Sequence, residues 1–158
     1  MENLIFTRID DRLIHGQVVA AWLRAYSNVS HILVIDDQVC QDEFMQQMFQ
    51  MLVPTGISIE IRSVEESVEI MRKGLKEPTM IIVKVPLTLK RIMEAGINIP
   101  KVNIGGMGMS AGRKKLFQNI SATAEELEIF REMINKGVLV EIQIIPAAKT
   151  VNVAGLLK

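Results

Sequence analysis

The chain has 158 residues, 49% of them apolar, and its eighteen basic and eighteen acidic side chains cancel. That length and apolar share suffice for one domain with a substantial core, built without metals or disulfides. Zero net charge excludes a global field steering the chain onto nucleic acid or an anionic membrane, and a single cysteine, Cys40, excludes an internal disulfide.

Short β-rich runs alternate with longer segments of helical period, the signature of an α/β fold with a mostly parallel sheet. The first strand spans Leu4 to Arg8. A helix follows from about Gln17, where Val18, Trp22 and Ala25 recur at helical spacing. His31 to Asp36 forms the second strand. Asp42 then N-caps a helix whose Phe44, Met45, Met48, Phe49 and Leu52 form one face, ended by Pro54 and Gly56. The third strand is Ile57 to Arg62, and Ser63 with Glu66 makes a capping box for the helix carrying Val68, Met71 and Leu75. The fourth strand is Met80 to Val85, after which Pro86 fits the first turn of a helix closed by Gly96. A fifth strand, Lys101 to Ile104, runs into the glycine-rich stretch GGMGMSAG, and Arg113 to Ile120 is read as a short edge strand. Thr123 and Glu126 form a second capping box for the helix bearing Leu127, Phe130 and Ile134, ended by Gly137. Val138 to Ile145 is the last strand. Most of the ten methionines fall at apolar helical positions, where they fill gaps in a core.

No stretch approaches the roughly 20 apolar residues that span a bilayer. The N-terminal run MENLIFTRIDDR reaches charge too early for a signal peptide. A soluble, cytoplasmic protein is expected, with residues 1–158 as a single domain.

Ligands of open α/β sheets bind beyond the carboxyl ends of the strands. The residues predicted there are polar: Asp10, Asp11, Arg12 and His15 after the first strand, Asp37 after the second, Lys84 after the fourth, and Gly105, Gly106 and Gly108 after the fifth. Each alone has an ordinary explanation as a turn or a solvated strand end. Together they suit phosphoryl transfer, in which negative charge spread over three oxygens is held mainly by positioned donors. Arginine forks, the free N–H groups of a helix opening at Gly16 and Gln17, and a glycine loop supply such donors. An imidazole, whose ordinary pKa near 6.5 leaves it largely neutral at physiological pH, is a nucleophile that needs no separate base. Asp10 or Asp11 would fix its tautomer. His31 opens a strand, lacks such neighbours and reads as structural.

The run RIDDRLIHGQV (Arg8 to Val18), the turn VIDDQV, the segment NIGGMG and the ending GVLVEIQIIPAAKTVNV resemble, end to end, the enzyme IIB subunits of the mannose, fructose and sorbose branch of the bacterial sugar phosphotransferase system. The resemblance implies a three-layer α/β/α fold around a central, mostly parallel sheet of six to seven strands with a mixed edge. It implies a protein-histidine phosphotransferase and phosphoprotein of sugar transport. His15 would accept a phosphoryl group, on Nδ1, from phosphohistidine on a IIA protein or domain. It would then pass it to sugar bound by the membrane subunits IIC and IID, which would hold the carrier peripherally at the membrane. Arg12 would steady the phosphoryl oxygens, with Asp10, Asp11 and Arg8 in support. No metal, cofactor or nucleic acid is expected. The loop departs from the family pattern at Gly108-Met109-Ser110, where relatives carry a bulky polar residue after GGM.

Two other classes compete. A receiver-like signalling domain, phosphorylated on aspartate, would use Asp10 and Asp11, Asp37 and Lys84, but it places the acceptor after the wrong strand and leaves His15 without a purpose. A nucleotide-binding module at GGMGMSAG lacks the GxGxxG spacing and its position after the first strand.

Overall fold

The computed structural model describes residues 1–157. In chain order it contains β1 (Leu4–Asp10), α1 (Gly16–Ala25), β2 (His31–Ile35), α2 (Glu43–Leu52), β3 (Ser58–Arg62), α3 (Val64–Lys73), β4 (Thr79–Val83), α4 (Pro86–Glu94), β5 (Lys101–Gly106), β6 (Lys114–Phe117), β7 (Ile120–Ala122), α5 (Ala124–Asn135), β8 (Leu139–Ile142) and β9 (Val151–Asn152). Seven strands form one sheet in the order β3-β2-β4-β1-β5-β8-β9. Every neighbouring pair in it is parallel except β8 with β9.

Both faces of the sheet are covered, which is why HILVI of β2 and TMIIV of β4 read as nearly continuous apolar runs. Alternate residues divide between two cores. Phe6, Ile32, Val34, Met80 and Ile82 pack under Val19 and Trp22 of α1 and Phe49 of α2. Ile9, Leu33, Ile35, Ile81 and Val83 pack under α3, α4 and α5, against Val68, Leu89 and Phe130. The result is a three-layer α/β fold.

The local signals for helix ends agree with the structure. Asp42 accepts the Met45 N–H, both capping boxes close reciprocally at Ser63 with Glu66 and Thr123 with Glu126, and Pro86 opens α4. The expected apolar face of α2 is buried only in part: Phe49 is enclosed, while Phe44 and Leu52 are exposed. Leu75 falls beyond the end of α3.

Two strand expectations change for tertiary reasons. The segment Arg113–Ile120 is not a strand of the main sheet. Lys114 to Phe117 pairs antiparallel with Ile120 to Ala122 as a separate hairpin, with the lysines in water and Ile120, Ser121 and Ala122 buried. The last parallel strand stops at Ile142 rather than Ile145, because the Gln143 side chain turns to donate to the Pro146 and Ala148 carbonyls. The antiparallel β9 then returns along its outer edge.

The chain leaves β1 toward β2 on one side and leaves β5 toward β8 on the other, although β1 and β5 are neighbours. Divergence of two adjacent connections opens a crevice at the carboxyl ends of these strands. There the first βα turn meets the glycine loop.

Candidate functional site

The turn after β1 is built to hold one side chain outward. Leu13 N–H donates to the Asp10 carbonyl at 2.9 Å, and Leu13 takes the left-handed conformation, φ 57°, which is unfavourable for a leucine. Leu13 and Ile14 are both buried and anchor the turn in the core beneath α1. His15, the next residue, is the extended N-cap of α1 and is exposed. Its side chain makes no capping bond, and the first turn of α1 has no acidic residue. By contrast α2, α3 and α5 each have a capping side chain and an acidic first turn. The partial positive charge and free N–H groups at Gly16 and Gln17 are therefore left beside the imidazole.

Beneath the turn lies a buried ion cluster. Asp10, 1% exposed, accepts Arg12 Nε at Oδ1 and Arg12 Nη2 at Oδ2, both at 2.9 Å, and the Arg12 backbone N–H at 3.0 Å. Arg8, 2% exposed, reaches the same carboxylate from below at 3.3 Å. It also donates to Asn103 Oδ1 at 2.6 Å and to the Gln143 and Ile144 carbonyls at 3.0 and 2.9 Å. The Arg8 guanidinium lies 5.2 Å from the centre of the Trp22 ring, whose own N–H donates to the Ile144 carbonyl. A buried arginine thus has carboxylate, amide, carbonyl and aromatic partners, as a desolvated charge requires.

The electrostatics follow from these contacts. Burial lowers the Arg8 pKa to about 10, which leaves it cationic at neutral pH. Burial also pushes the Asp10 carboxyl up, but the Arg12 hydrogen bonds and both guanidinium charges outweigh it and hold the group below the usual carboxylate range. The hydrogen bond to Asp10 raises the Arg12 pKa in return. Arg12 is fixed along one edge while its side chain stays 44% exposed. It is a pre-oriented cation at the surface.

The glycines make this packing possible. A bulge at the end of β5 lets the chain pass over the arginine: a Cβ on Gly105 would fall inside the Arg8 guanidinium. One on Gly106 would press on the Asp10 and Asp11 carboxylates. Gly108 N–H donates to Asp11 Oδ2 at 2.7 Å, which ties the glycine loop to the first turn. Of the residues expected from the sequence, Arg8, Asp10, Asp11, Arg12, Gly105, Gly106 and Gly108 form this connected group, and His15, Gly16 and Gln17 continue from it along the chain. Lys84 is exposed after β4 and outside the cluster. Asp37, the acceptor in a receiver-like arrangement, instead accepts the Val64 N–H and Arg91 Nη1. His31 bonds Ser58 and Glu60 on the β2–β3 edge.

Sequence reasoning missed the wall opposite the turn. Arg113 joins Glu126 through two bonds of 3.0 Å, donates to the Gly108 carbonyl and lies 3.8 Å from Asp11, bracing the glycine loop against α5. The β6–β7 hairpin adds Lys115, Gln118, Asn119 and Ser121 to a cleft of about 400 Å³ that also borders Asp11 and Arg12. The one local signal was the lysine pair before Leu116 and Phe117, a mark of a charged edge strand.

Residues 4–158 match the family model described as "PTS system sorbose subfamily IIB component". The "PTS system fructose-specific EIIB component" of Bacillus subtilis (strain 168) is 29% identical over 153 residues, covering 93% of this chain and 91% of that protein. The "PTS system mannose-specific EIIAB component" of Escherichia coli (strain K12) is 30% identical over 138 residues; the match covers 86% of this chain but only 42% of that protein. The crystal structure of the IIBSor domain of the sorbose permease from Klebsiella pneumoniae superposes with a TM-score of 0.90 at 28% identity, covering 98% of this chain and 95% of that one.

Proposed function

We propose a specific chemistry for a chain that belongs to the sorbose-subfamily IIB components of the phosphotransferase system, a family of phosphotransfer in sugar uptake: His15 is its transient phosphohistidine. The observation that carries this reading is an exposed imidazole at an uncapped helix N-terminus, three residues beyond a guanidinium already oriented by a buried carboxylate. Residues 1–158 act as one IIB domain in this reading.

The imidazole Nδ1 lone pair attacks the phosphorus of a phosphohistidine on a IIA protein or domain. The new N–P bond forms as the donor's N–P bond breaks, and the donor imidazole leaves with its electron pair. In the second step a hydroxyl oxygen of sugar held by IIC and IID attacks the same phosphorus; the O–P bond forms as the His15 N–P bond breaks, the imidazole leaves with the electron pair, and the hydroxyl proton passes to water. Arg12 and the Gly16 and Gln17 N–H groups face the charge on the transferring oxygens, in the manner of preorganised donors. Asp10 holds Arg12, Arg8 holds Asp10, and Asp11 with the glycine loop fixes the far side of the turn. Lys84 has no part in this arrangement.

No helix among the described residues is long and apolar enough to cross a membrane. In this scheme the membrane partners supply the sugar site, and the carrier docks on them from the cytoplasmic side. Incubation with phosphoenolpyruvate and the upstream carriers, followed by mass spectrometry of the intact protein and its peptides, tests the assignment. One added phosphoryl group on the peptide containing His15, absent in His15→Ala, is the expected result. Labelling of the His15→Ala variant overturns it.

A further inference from the structure

The cleft beside Arg12 has a chemistry of its own. Two of its lining residues are cationic, Arg12 and Lys115, and Lys115 is exposed and in no ion pair among the described residues. Asp11 Oδ2 takes the Gly108 N–H, whereas Asp11 Oδ1 has no hydrogen-bond partner among the described residues. Gln118 and Asn119 at the hairpin tip add exposed amides. Beside these polar groups lie the apolar surfaces of exposed Met109 and half-buried Ile144. The volume, about 400 Å³, falls within the span of small-molecule sites, roughly 300–1,000 Å³.

Hydroxyl groups on a ring with apolar faces are bound by a carboxylate, amides and apolar contacts, and a phosphate by cations. This cleft presents both sets within one small volume, next to the residue placed on the transferring phosphoryl group. We propose that the cleft between the first βα turn and the β6–β7 hairpin binds a hexose phosphate, with Arg12 and Lys115 on the phosphate and Asp11 Oδ1, Gln118 and Asn119 on the sugar hydroxyls. The choice of a hexose rests on the carrier reading above, under which a hexose phosphate is the product of the second transfer. Occupancy would engage Arg12, the residue placed on the transferring phosphoryl group.

Isothermal titration calorimetry on the full, unphosphorylated chain tests this with mannose 6-phosphate, fructose 1-phosphate, glucose 6-phosphate, free mannose and inorganic phosphate as separate probes. At least one hexose phosphate is expected to bind with a Kd of about 1 mM or tighter, within the range of cellular substrate levels. Its affinity should exceed that of inorganic phosphate and of free mannose by about tenfold, the equivalent of one further hydrogen-bonded group. Lys115→Met is expected to weaken every phosphorylated probe by about tenfold. Asn119→Ala should weaken the hexose phosphates and leave inorganic phosphate unchanged. Hexose phosphates that bind no better than inorganic phosphate, or a Lys115→Met variant with parental affinity, overturn the proposal. The titration is repeated on His15→Ala, where binding should persist. Retained binding in a chain that proves not to be phosphorylated on His15 removes the carrier reading alone, and absent binding in a chain that is phosphorylated there removes this site alone.

Discussion

Gly105 and Arg8 share one space: the guanidinium occupies the volume that any side chain at 105 would need. Arg8 cannot yield, because its two terminal nitrogens are held by Asp10, Asn103 and the carbonyls of Gln143 and Ile144. Gly105→Ala should therefore destabilise the fold by about 3 kcal/mol through overpacking and broken charged hydrogen bonds. Gly16→Ala is the control, since a Cβ there meets only Leu52 Cδ2 at an ordinary 3.7 Å. It should stay within about 0.5 kcal/mol of the parent. Urea denaturation of both variants separates the two cases, and equal midpoints would contradict the steric account.

Asp10 links stability to pH. Its folded pKa is depressed, so its ionised form stabilises the fold above the unfolded value of about 3.9, and that contribution disappears as pH falls through the lower folded value. The parent should lose stability on acidification below about pH 4. Asp10→Asn should be less stable than the parent at neutral pH by about 3 kcal/mol, because buried Arg8 loses its counter-charge, and the gap should narrow in acid. Thermal melts from pH 7 to pH 3 check this. A gap that widens in acid would reverse the sign and refute it.

Arg12 should separate transfer from stability. Removing one preorganised donor from a developing negative charge lowers rates by about 10²- to 10³-fold. The cost in unfolding free energy should be about 1–3 kcal/mol, since the partly exposed arginine leaves Asp10 still paired with Arg8 and bonded to the backbone at residue 12. Stopped-flow transfer from phosphorylated IIA to Arg12→Ala, beside its urea curve, gives both numbers. A parental transfer rate would remove Arg12 from the mechanism.

His15 itself should be nearly free of structural duty. Its side chain caps nothing and is exposed. His15→Ala should melt within about 0.5 kcal/mol of the parent while losing all acceptor activity. Leu13→Ala, which removes a buried anchor of the same turn, should instead destabilise by about 2–4 kcal/mol. Calorimetry on the pair distinguishes a residue that works from one that positions it.

Much of this site was legible in the chain alone, because its parts are local. Periodicity gave the order of strands and helices, the two capping boxes and Asp42 marked helix starts, and RIDDRLIHGQV placed Asp10, Arg12 and His15 within one turn, where short-range geometry decides who meets whom. Polarity after each strand also marked the carboxyl edge of the sheet. It could not tell an exposed cation from a buried one: Arg8 and Arg12 look alike in the sequence, and only the β1–β5 pairing puts Arg8 against Asn103 and under the bulge at Gly105. Nor could it foresee the hairpin wall of Lys115, Gln118 and Asn119, or Arg113 reaching both Glu126 and the Gly108 carbonyl. Arg8 with Asn103, and the hairpin beside Asp11 and Arg12, join segments about a hundred residues apart, while Arg113 reaches Gly108 and Glu126 only because the hairpin folds back between them. No pattern within one segment records which other one packs against it. Tertiary structure decided them because parallel strands buried on both faces take their neighbours from long-range pairing.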